Sequence, residues 1–174
     1  MLVSHVAAQY PQYAAPDMAG LSANLAQVRT NLDAFRPYLE ASLRQQHGIE
    51  LLAVYVYPAQ VLFCKKALAG LADLSGRRIR ISSNSQADFV SALGAVPVRT
   101  GFADIMQALA SDALDCVITG ASSGNTLGLH TATSYLYTMP LTWGMAIFGA
   151  NSGVWNTLPP ELRELLRREL PALE

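Results

Sequence analysis

The chain has 174 residues, of which 51% are hydrophobic and 14% are charged, and its formal net charge is −1 at pH 7. This charge balance excludes a polyanionic partner such as nucleic acid. The charged fraction lies below the roughly 25% that is usual in soluble domains, so we expect a deeply buried chain or one covered by a partner.

The first half of the chain is predicted to begin irregularly, at residues 1–23, where two prolines and a glycine act as breakers. A long amphipathic helix is predicted over 24–47, with Gly48 as its stop. Its apolar residues recur at helical spacing: Leu25, Val28, Leu32, Phe35, Leu39 and Leu43. The β-branched and aromatic run at 49–56 predicts a buried strand, and VLFC at 61–64 predicts a second one.

The middle of the chain, residues 77–119, alternates between strand and helix patterns. The predicted elements are strand 77–82, helix 84–93, strand 96–100, helix 102–111 and strand 114–119. Asn84 is the predicted N-cap of the first helix. Such alternation favours right-handed crossovers and a largely parallel sheet.

The last part of the chain is predicted to begin with a helix over 121–130. A long extended apolar segment follows at 133–150, with predicted interruptions at Pro140 and Gly144. Residues 159–170 are predicted to form a helix, because a proline lies at the start, acids come early and arginines late.

Two cysteines, Cys64 and Cys116, lie in apolar, strand-like surroundings. Their environment favours two buried free thiols, with a disulfide or a metal pair as the alternatives. Metal-ligand spacing is absent and the three histidines are far apart in the sequence, so we expect neither a metal site nor a cofactor.

Residues 116–124, CVITGASSG, fit two enzyme motifs. The first is the nucleotide-binding turn of short-chain dehydrogenases, but Thr126 replaces the third glycine. The acidic residue that should hold a ribose is also missing, since residues 131–160 contain no Asp or Glu. Both lysines lie upstream of the motif, so a downstream Tyr-x-x-x-Lys pair is absent as well. These absences disfavour the dehydrogenase interpretation.

The second motif is the G-x-S-x-G nucleophile elbow, with Ser122 as the nucleophile. His130 is the last histidine of the chain, and no acid lies between it and Ser122, so a serine acyl hydrolase is kept only as a minor alternative. What remains is a strand end with Thr119, Ser122 and Ser123 before a helix. These groups favour a polar or anionic ligand, or the serines cap the helix.

Three segments together carry a more specific likeness, over 51–170. They are ALAGLADLSGRRIRIS at 67–82, SALGAVPVRTGFADIMQALASDALDCVITG at 91–120 and SYLYTMPLTWGMAIFGANSGVWNTLPPELRELL at 134–166. Their order and spacing resemble those of the extracytoplasmic solute-binding proteins of TRAP transporters, the DctP-type family. This resemblance implies an α/β, periplasmic-binding-protein-like fold whose two lobes close over an organic acid.

The resemblance also implies ligand-binding residues. Arg80 matches the arginine that holds the ligand carboxylate, and Arg78 is the fallback, since strand alternation places both on one face. Phe102 matches an aromatic residue that walls the cleft, although it also fits a helix-entry staple. Thr119 stands where the family has an asparagine, and Gln60 stands near a position that is often cationic. Both departures predict a monocarboxylate ligand with an apolar or hydroxylated body.

Two further contacts are expected with less support from the pattern. Ser122 is a predicted hydrogen-bond donor to the ligand or a helix cap, and Trp143 is a predicted wall residue of the cleft. For Trp143, as for Tyr137, packing in the core is the favoured alternative. No catalytic residue is expected, because the resemblance implies capture of a ligand without chemistry.

By the same comparison the chain carries one largely complete lobe and a partial second lobe. The predicted division is 1–76 as partial lobe 1, 77–135 as lobe 2, and 136–174 as a returning strand with a connecting helix. A partial lobe exposes apolar surface, which favours a homo-oligomer.

The resemblance implies the membrane subunits of a TRAP transporter as partners and a periplasmic location. No signal peptide is expected within this chain, since its start lacks a cationic region followed by an apolar core. A binding-fold module that senses an effector, or one that has lost transport activity, is the main alternative.

Overall fold

A computed structural model describes residue 7 and residues 9–173 of the chain. These residues form two compact units, each with helices and strands, which confirms the α/β class. Unit 1 contains residues 9–16, 25–57 and 144–173, and unit 2 contains residues 17–24 and 58–143. These bounds differ from the predicted division at 76 and 135, because strands before and after the 77–119 region pair with strands inside or beside it.

Unit 1 is built on the predicted long helix α1 (Leu25–His47) and strand β1 (Ile49–Val56). β1 pairs antiparallel with β7 (Met145–Asn151), which is followed by α5 (Ser152–Thr157) and α6 (Pro160–Glu169). The apolar stripe of α1 is buried together with residues of both strands: Leu32, Leu39, Leu43, Val54, Met145 and Ile147. Within the described residues, no helix combines the length and apolar character needed to cross a membrane.

Unit 2 contains a five-stranded sheet. Its strands are β2 (Gln60–Cys64), β3 (Arg78–Ile81), β4 (Val96–Arg99), β5 (Cys116–Gly120) and β6 (Tyr135–Thr142), in the order β4-β3-β5-β2-β6. β3 runs parallel to β4 and β5, as predicted, whereas β2 runs antiparallel to β5 and β6. The sheet is therefore mixed rather than largely parallel, because the alternating pattern covers only its three parallel strands.

Each face of this sheet packs on its own set of side chains. On the first face, helix α2 (Asn84–Ala92) covers the sheet, and the buried residues include Leu62, Ile79, Ile81, Val90, Cys116 and Ile118. On the second face, helix α3 (Ile105–Ala110) packs with Val61, Phe63, Leu109, Leu114, Val117 and Leu129. Successive residues of one strand alternate between the two sets, as the pleat of a strand requires.

Two local predictions need correction. Ser83, rather than Asn84, is the N-cap of α2, because its extended backbone lets Oγ accept the Gln86 N–H at 3.2 Å. The predicted interruption at Pro140 needs correction in part: β6 continues as a strand over Tyr135–Thr142, but its pairing with β2 shifts register around the proline, from Leu62↔Tyr137 to Gln60↔Thr142. The predicted break at Gly144 is confirmed, since β7 begins at Met145.

Cys64 and Cys116 form a disulfide, which corrects the expectation of two free thiols. The two residues lie directly opposite each other on β2 and β5, with Cα atoms 4.1 Å apart. The sequence did not show this pairing, because β2 reaches β5 only through a contact between distant parts of the chain. Both cysteines are fully buried, and the bond closes a segment with a sequence separation of 52.

Gly124 lies in helix α4 (Ala121–Leu127), at the point where this helix meets the sheet. A Cβ atom at Gly124 would lie 2.4 Å from Cζ of Phe63, which is itself buried on the second face. The second glycine of the GASSG motif is therefore required by close packing between helix and strand.

Substitution Gly124→Ala is expected to destabilise the protein by about 1–3 kcal/mol, because the buried Phe63 ring must move. Helix propensity alone would act in the opposite direction, by about 1 kcal/mol. Urea unfolding measures the difference, with Gly70→Ala as the control, since a Cβ at Gly70 meets nothing within 4 Å. A variant as stable as the wild type contradicts this account.

Replacement of both cysteines, Cys64→Ala with Cys116→Ala, is expected to lower the free energy of unfolding by about 2–4 kcal/mol, because the disulfide restricts the unfolded chain. Denaturant unfolding of both proteins measures the loss. Thiol titration of the unfolded wild type should find free thiols only after reduction. Two thiols that react without a reductant would show that the bond is absent.

Candidate functional site

Strand direction brings polar residues of unit 2 to one edge of its sheet. β3, β4, β5 and β6 end at this edge and the antiparallel β2 begins there. We call it the carboxyl edge, and its strand residues include Gln60, Arg80, Arg99, Thr119 and Thr142. Open α/β sheets bind ligands outside the carboxyl ends of their parallel strands.

Arg80 lies next to the last residue of β3 and is only 6% exposed. Its Nη1 donates to the carbonyl of Ile118 at 2.8 Å, and its Nε donates to the carbonyl of Thr100 at 3.1 Å. A guanidinium has five N–H donors. The two backbone carbonyls therefore fix the plane of the group and leave the other donors without a partner among the described residues.

The positive charge of Arg80 is buried, and no carboxylate of the described residues lies beside it. None of the ion pairs within residues 9–173 includes Arg80. Burial, and then the positive charge of Arg99, lowers the pKa of its guanidinium. A buried charge is costly unless it is paired. This site is therefore suited to an anion that enters with its own charge.

Arg99 is a second cation at the carboxyl edge, and the sequence comparison did not single it out. It ends β4 opposite Ile81 of β3. Its exposed side chain donates from Nη2 to Oδ1 of Asn84 at 2.7 Å and from Nη1 to the carbonyl of Ser82 at 3.5 Å. Parallel pairing of the predicted strands 77–82 and 96–100 would have placed Arg99 at the same edge of the sheet as Arg80.

Arg78, the fallback for Arg80, already has a partner. Its Nε and Nη2 contact both carboxylate oxygens of Asp115, at 2.9 and 2.8 Å, and its backbone N–H contacts the same carboxylate at 2.8 Å. These contacts lower the pKa of Asp115 to about 2. The two arginines of β3 thus differ in their surroundings, and only Arg80 has its charge uncompensated.

Thr119 and Phe102 lie one and two residues along the chain from the two carbonyls that Arg80 contacts, those of Ile118 and Thr100. Thr119 is buried on β5 and shares the second face with Val117, as Arg80 does by alternation from Ile79 and Ile81. Phe102 begins a short 3-10 helix two residues after Thr100 and is 47% exposed, so it does not belong to the buried face predicted for helix 102–111.

Ser122 does not cap a helix, which corrects one of its two predicted roles. The N-cap of α4 is Gly120, which makes no side-chain capping bond, and Ser122 lies exposed within the helix. Within the described chain, no histidine hydrogen-bonds to Ser122. The structure therefore offers no support for a nucleophile at this position.

Gln60 begins β2 and projects from the first face, as Leu62 does, so it lies on the side opposite Arg80. Its Oε1 accepts a hydrogen bond at 2.9 Å from Nε2 of Gln86, a residue of α2 that is 1% exposed. Side chains on opposite faces can both reach a ligand that lies beyond the edge. Gln86 was not predicted from the sequence, because a glutamine in a short helix usually faces solvent.

Trp143 follows β6 and holds the segment 17–24 of unit 2. Its indole N–H donates to the carbonyl of Ser22 at 3.0 Å, and its backbone N–H donates to Oδ1 of Asp17 at 2.7 Å. Half-buried Trp143 therefore anchors a chain segment, and contact with a ligand stays a prediction. Tyr137, the other aromatic candidate, hydrogen-bonds to the backbone of Leu68.

The sequence model of one protein family, bacterial extracellular solute-binding protein family 7 (DctP), matches residues 4–173. Among curated proteins, none matches this chain.

Solved structures are similar over nearly the whole chain. DctP7 of Bordetella pertussis, an extracytoplasmic solute receptor that binds pyroglutamic acid, is 27% identical with a TM-score of 0.88, and the match covers 97% of this chain and 56% of that chain. A TRAP periplasmic solute-binding protein from Ralstonia eutropha H16, with bound (S)-2-acetolactate, is 20% identical with a TM-score of 0.87, covering 99% and 56%. One from Rhodoferax ferrireducens, with bound malonate, is 20% identical with a TM-score of 0.86, covering 99% and 56%.

These similarities confirm the periplasmic-binding-protein-like fold that the sequence resemblance implied. The chain spans little more than half the length of the solved relatives it matches.

Substitution Asp115→Asn is expected to lower the melting temperature by about 1–3 °C at pH 6, since a partly exposed pair is screened by solvent. The pKa of Asp115 is depressed in the folded protein, so the pair stabilises above the ordinary aspartate range, and this contribution is lost as pH falls to about 2. Melting curves measured between pH 6 and pH 2 test whether the melting temperatures of the wild type and Asp115→Asn become equal as the pH falls.

The matched control is Asp112→Asn, because Asp112 pairs with Lys65 while 84% exposed, and its loss should have no measurable effect. A constant difference between wild type and Asp115→Asn over the whole pH range contradicts the ion-pair account.

Proposed function

This chain belongs to family 7 of the bacterial extracellular solute-binding proteins, and on that premise we propose that it captures a small organic acid for a TRAP-type transporter, with Arg80 binding the carboxylate. The single observation that carries the proposal is the Arg80 guanidinium, buried, held by two backbone carbonyls and lacking an anionic partner among the described residues. Binding is proposed to involve no catalysis and no cofactor.

The chemistry of a guanidinium supports a carboxylate as the anion. Its planar fork matches the two oxygens of a carboxylate, and such charged hydrogen bonds are among the stronger ones in proteins. Because Nε and Nη1 of Arg80 are each engaged once, the remaining donors lie at the tip of the group. A carboxylate at this tip restores charge balance in a buried place.

The ligand class is proposed to be monocarboxylates. Gln60 is neutral where the family pattern often has a cation, Thr119 replaces an amide, and Arg78 is occupied by Asp115. Arg99, the other cation at the carboxyl edge, already donates to Asn84 and to the carbonyl of Ser82. Pyroglutamate, the ligand of the relative with 27% identity, is an acid of this class and is a suitable first candidate. Phe102, Ser122 and Trp143 are proposed as further contacts around its body.

The disulfide between Cys64 and Cys116 supports a periplasmic location, because such bonds persist in oxidising compartments. The membrane subunits of a TRAP transporter are proposed as the partners of the receptor. We further propose that unit 2 corresponds to the largely complete lobe and unit 1 to the partial one, whose exposed apolar residues favour self-association.

A second candidate function is a binding-fold module without a transport role. Both candidates predict an acid at Arg80 and differ in whether the protein engages transporter subunits.

Substitution Arg80→Gln is expected to weaken binding of pyroglutamate by roughly 100-fold, because a buried charged pair is lost. Isothermal titration calorimetry with pyroglutamate, malonate, acetolactate and orotate measures the effect, and thermal shift screens further acids. Arg80→Lys should also bind weakly, since an ammonium lacks the planar fork.

Arg78→Gln is the matched control and should keep the wild-type affinity, because Arg78 is already paired with Asp115. Without ligand, Arg80→Gln should be at least as stable as the wild type, since an unpaired buried charge is removed. An Arg80→Gln variant with unchanged affinity, or a wild type that binds no acid, rules out the proposal. Tight malonate binding without any monocarboxylate binding rules out the ligand class alone.

A further inference from the structure

A chain of hydrogen bonds at the carboxyl edge begins at a group that can only donate. The backbone N–H of Ser82, just after β3, donates to Oε1 of Gln86 at 2.8 Å, and Oγ of Ser82 contacts the same oxygen at 3.1 Å. A backbone N–H has no acceptor form. The orientation of the Gln86 amide, which its shape alone leaves open, is therefore determined by this bond.

The amide nitrogen of Gln86, Nε2, therefore donates from both of its N–H groups. Nε2 donates to Oγ1 of Thr142 at 2.8 Å and to Oε1 of Gln60 at 2.9 Å. Both Gln86 and Thr142 are 1% exposed, so water does not compete for these bonds. A buried amide with all its bonds made resists rotation, because turning it would leave polar groups unpaired.

Gln60 receives its orientation from Gln86. Its oxygen faces Gln86, so its NH2 group is turned away, and no other described residue hydrogen-bonds to it. Gln60 is half-buried at the first position of β2, where the strand meets the carboxyl edge. The backbone N–H of Ser82 therefore determines the orientation of the Gln86 amide, and through it the orientation of the Gln60 amide on β2.

We propose that Gln86 is a positioning residue that holds the Gln60 NH2 toward the ligand, so that the site selects a carboxylate whose far end carries an acceptor oxygen such as a ring carbonyl. This inference rests on the proposed function of Arg80. Two strand spacings, about 10 Å, separate β3 from β2 in the sheet. Gln60 lies opposite Gly120 of β5 and Arg80 lies opposite Val117, so the two residues are also offset along the strands by three residues, about 10 Å, with Gln60 nearer the carboxyl edge. A ligand that contacts both side chains therefore extends from the Arg80 guanidinium to Gln60 beyond the edge.

The orientation of the amides is tested first, without ligand, by NMR hydrogen exchange of the glutamine side chains. In the wild type the Gln86 NH2 should exchange slowly and the Gln60 NH2 rapidly. In Gln86→Glu the carboxylate can still accept from Ser82 but cannot donate, so Gln60 should turn its NH2 inward and become protected. Rapid exchange of the Gln86 NH2 in the wild type, or an unprotected Gln60 in the variant, overturns the positioning role.

Selection is tested with two monoanions of similar ring size, pyroglutamate, which has a ring carbonyl, and cyclopentanecarboxylate, which has none. The wild type should prefer pyroglutamate by roughly three- to tenfold, the effect of one neutral hydrogen bond. Gln60→Met and Gln86→Glu should both abolish the preference, and the double variant should show no further change. Because both probes carry one negative charge, the charge of Glu at position 86 affects them alike.

Gln107→Met is the matched control, since Gln107 is exposed on α3 and should leave the preference intact. A preference that survives in Gln60→Met or Gln86→Glu overturns the selection, as does an equal loss of affinity for both probes. If the wild type binds neither probe, the selection for a ring carbonyl fails, whereas the proposed function fails only if no acid of the screen binds; hydrogen exchange decides the role of Gln86 in either case.

Discussion

A buried guanidinium that has no counter-ion among the described residues is the constraint around which unit 2 is organised. Arg80 is 6% exposed, and its folded position depends on the carbonyls of Ile118 and Thr100. Such a charge lowers stability until an anion arrives. The surrounding sheet therefore has to be stable in its own right, and two packed faces with a disulfide between β2 and β5 provide that stability.

Neighbours, rather than residue type, separate the two arginines of β3. Arg78 and Arg80 lie on the same face of the same strand, yet Arg78 has the carboxylate of Asp115 beside it and is partly exposed. A sequence motif that requires only basic residues in a strand does not distinguish Arg78 from Arg80. Because β5 packs beside β3, Arg78 is paired with Asp115. Arg80 has no such carboxylate partner among the described residues.

Local pattern predicted most elements, because helical and strand periodicity depends on near neighbours. α1, β1 and the succession β3 to β5 agree with prediction for this reason. The antiparallel direction of β2 was not predicted, since its partner strands lie far along the chain. For the same reason the mixed sheet was not predicted and the disulfide was not the favoured interpretation of the two cysteines. The burial of Gln86 was not predicted because it follows from that same sheet, whereas Arg80 was singled out through family resemblance and stays a prediction as a ligand contact.

The GASSG turn shows why a short motif predicts chemistry poorly. Gly124 is needed because α4 approaches the ring of Phe63, and Gly120 precedes α4 as its N-cap. In nucleotide turns one of the glycines likewise allows close packing of helix on strand, and nucleophile elbows place their serine in a sharp strand-to-helix turn. The glycines of this motif therefore indicate that a helix packs closely on a strand. Chemistry depends on the side chains that the packing brings to the edge, and here those include the buried Arg80, the exposed Arg99 and neutral polar groups.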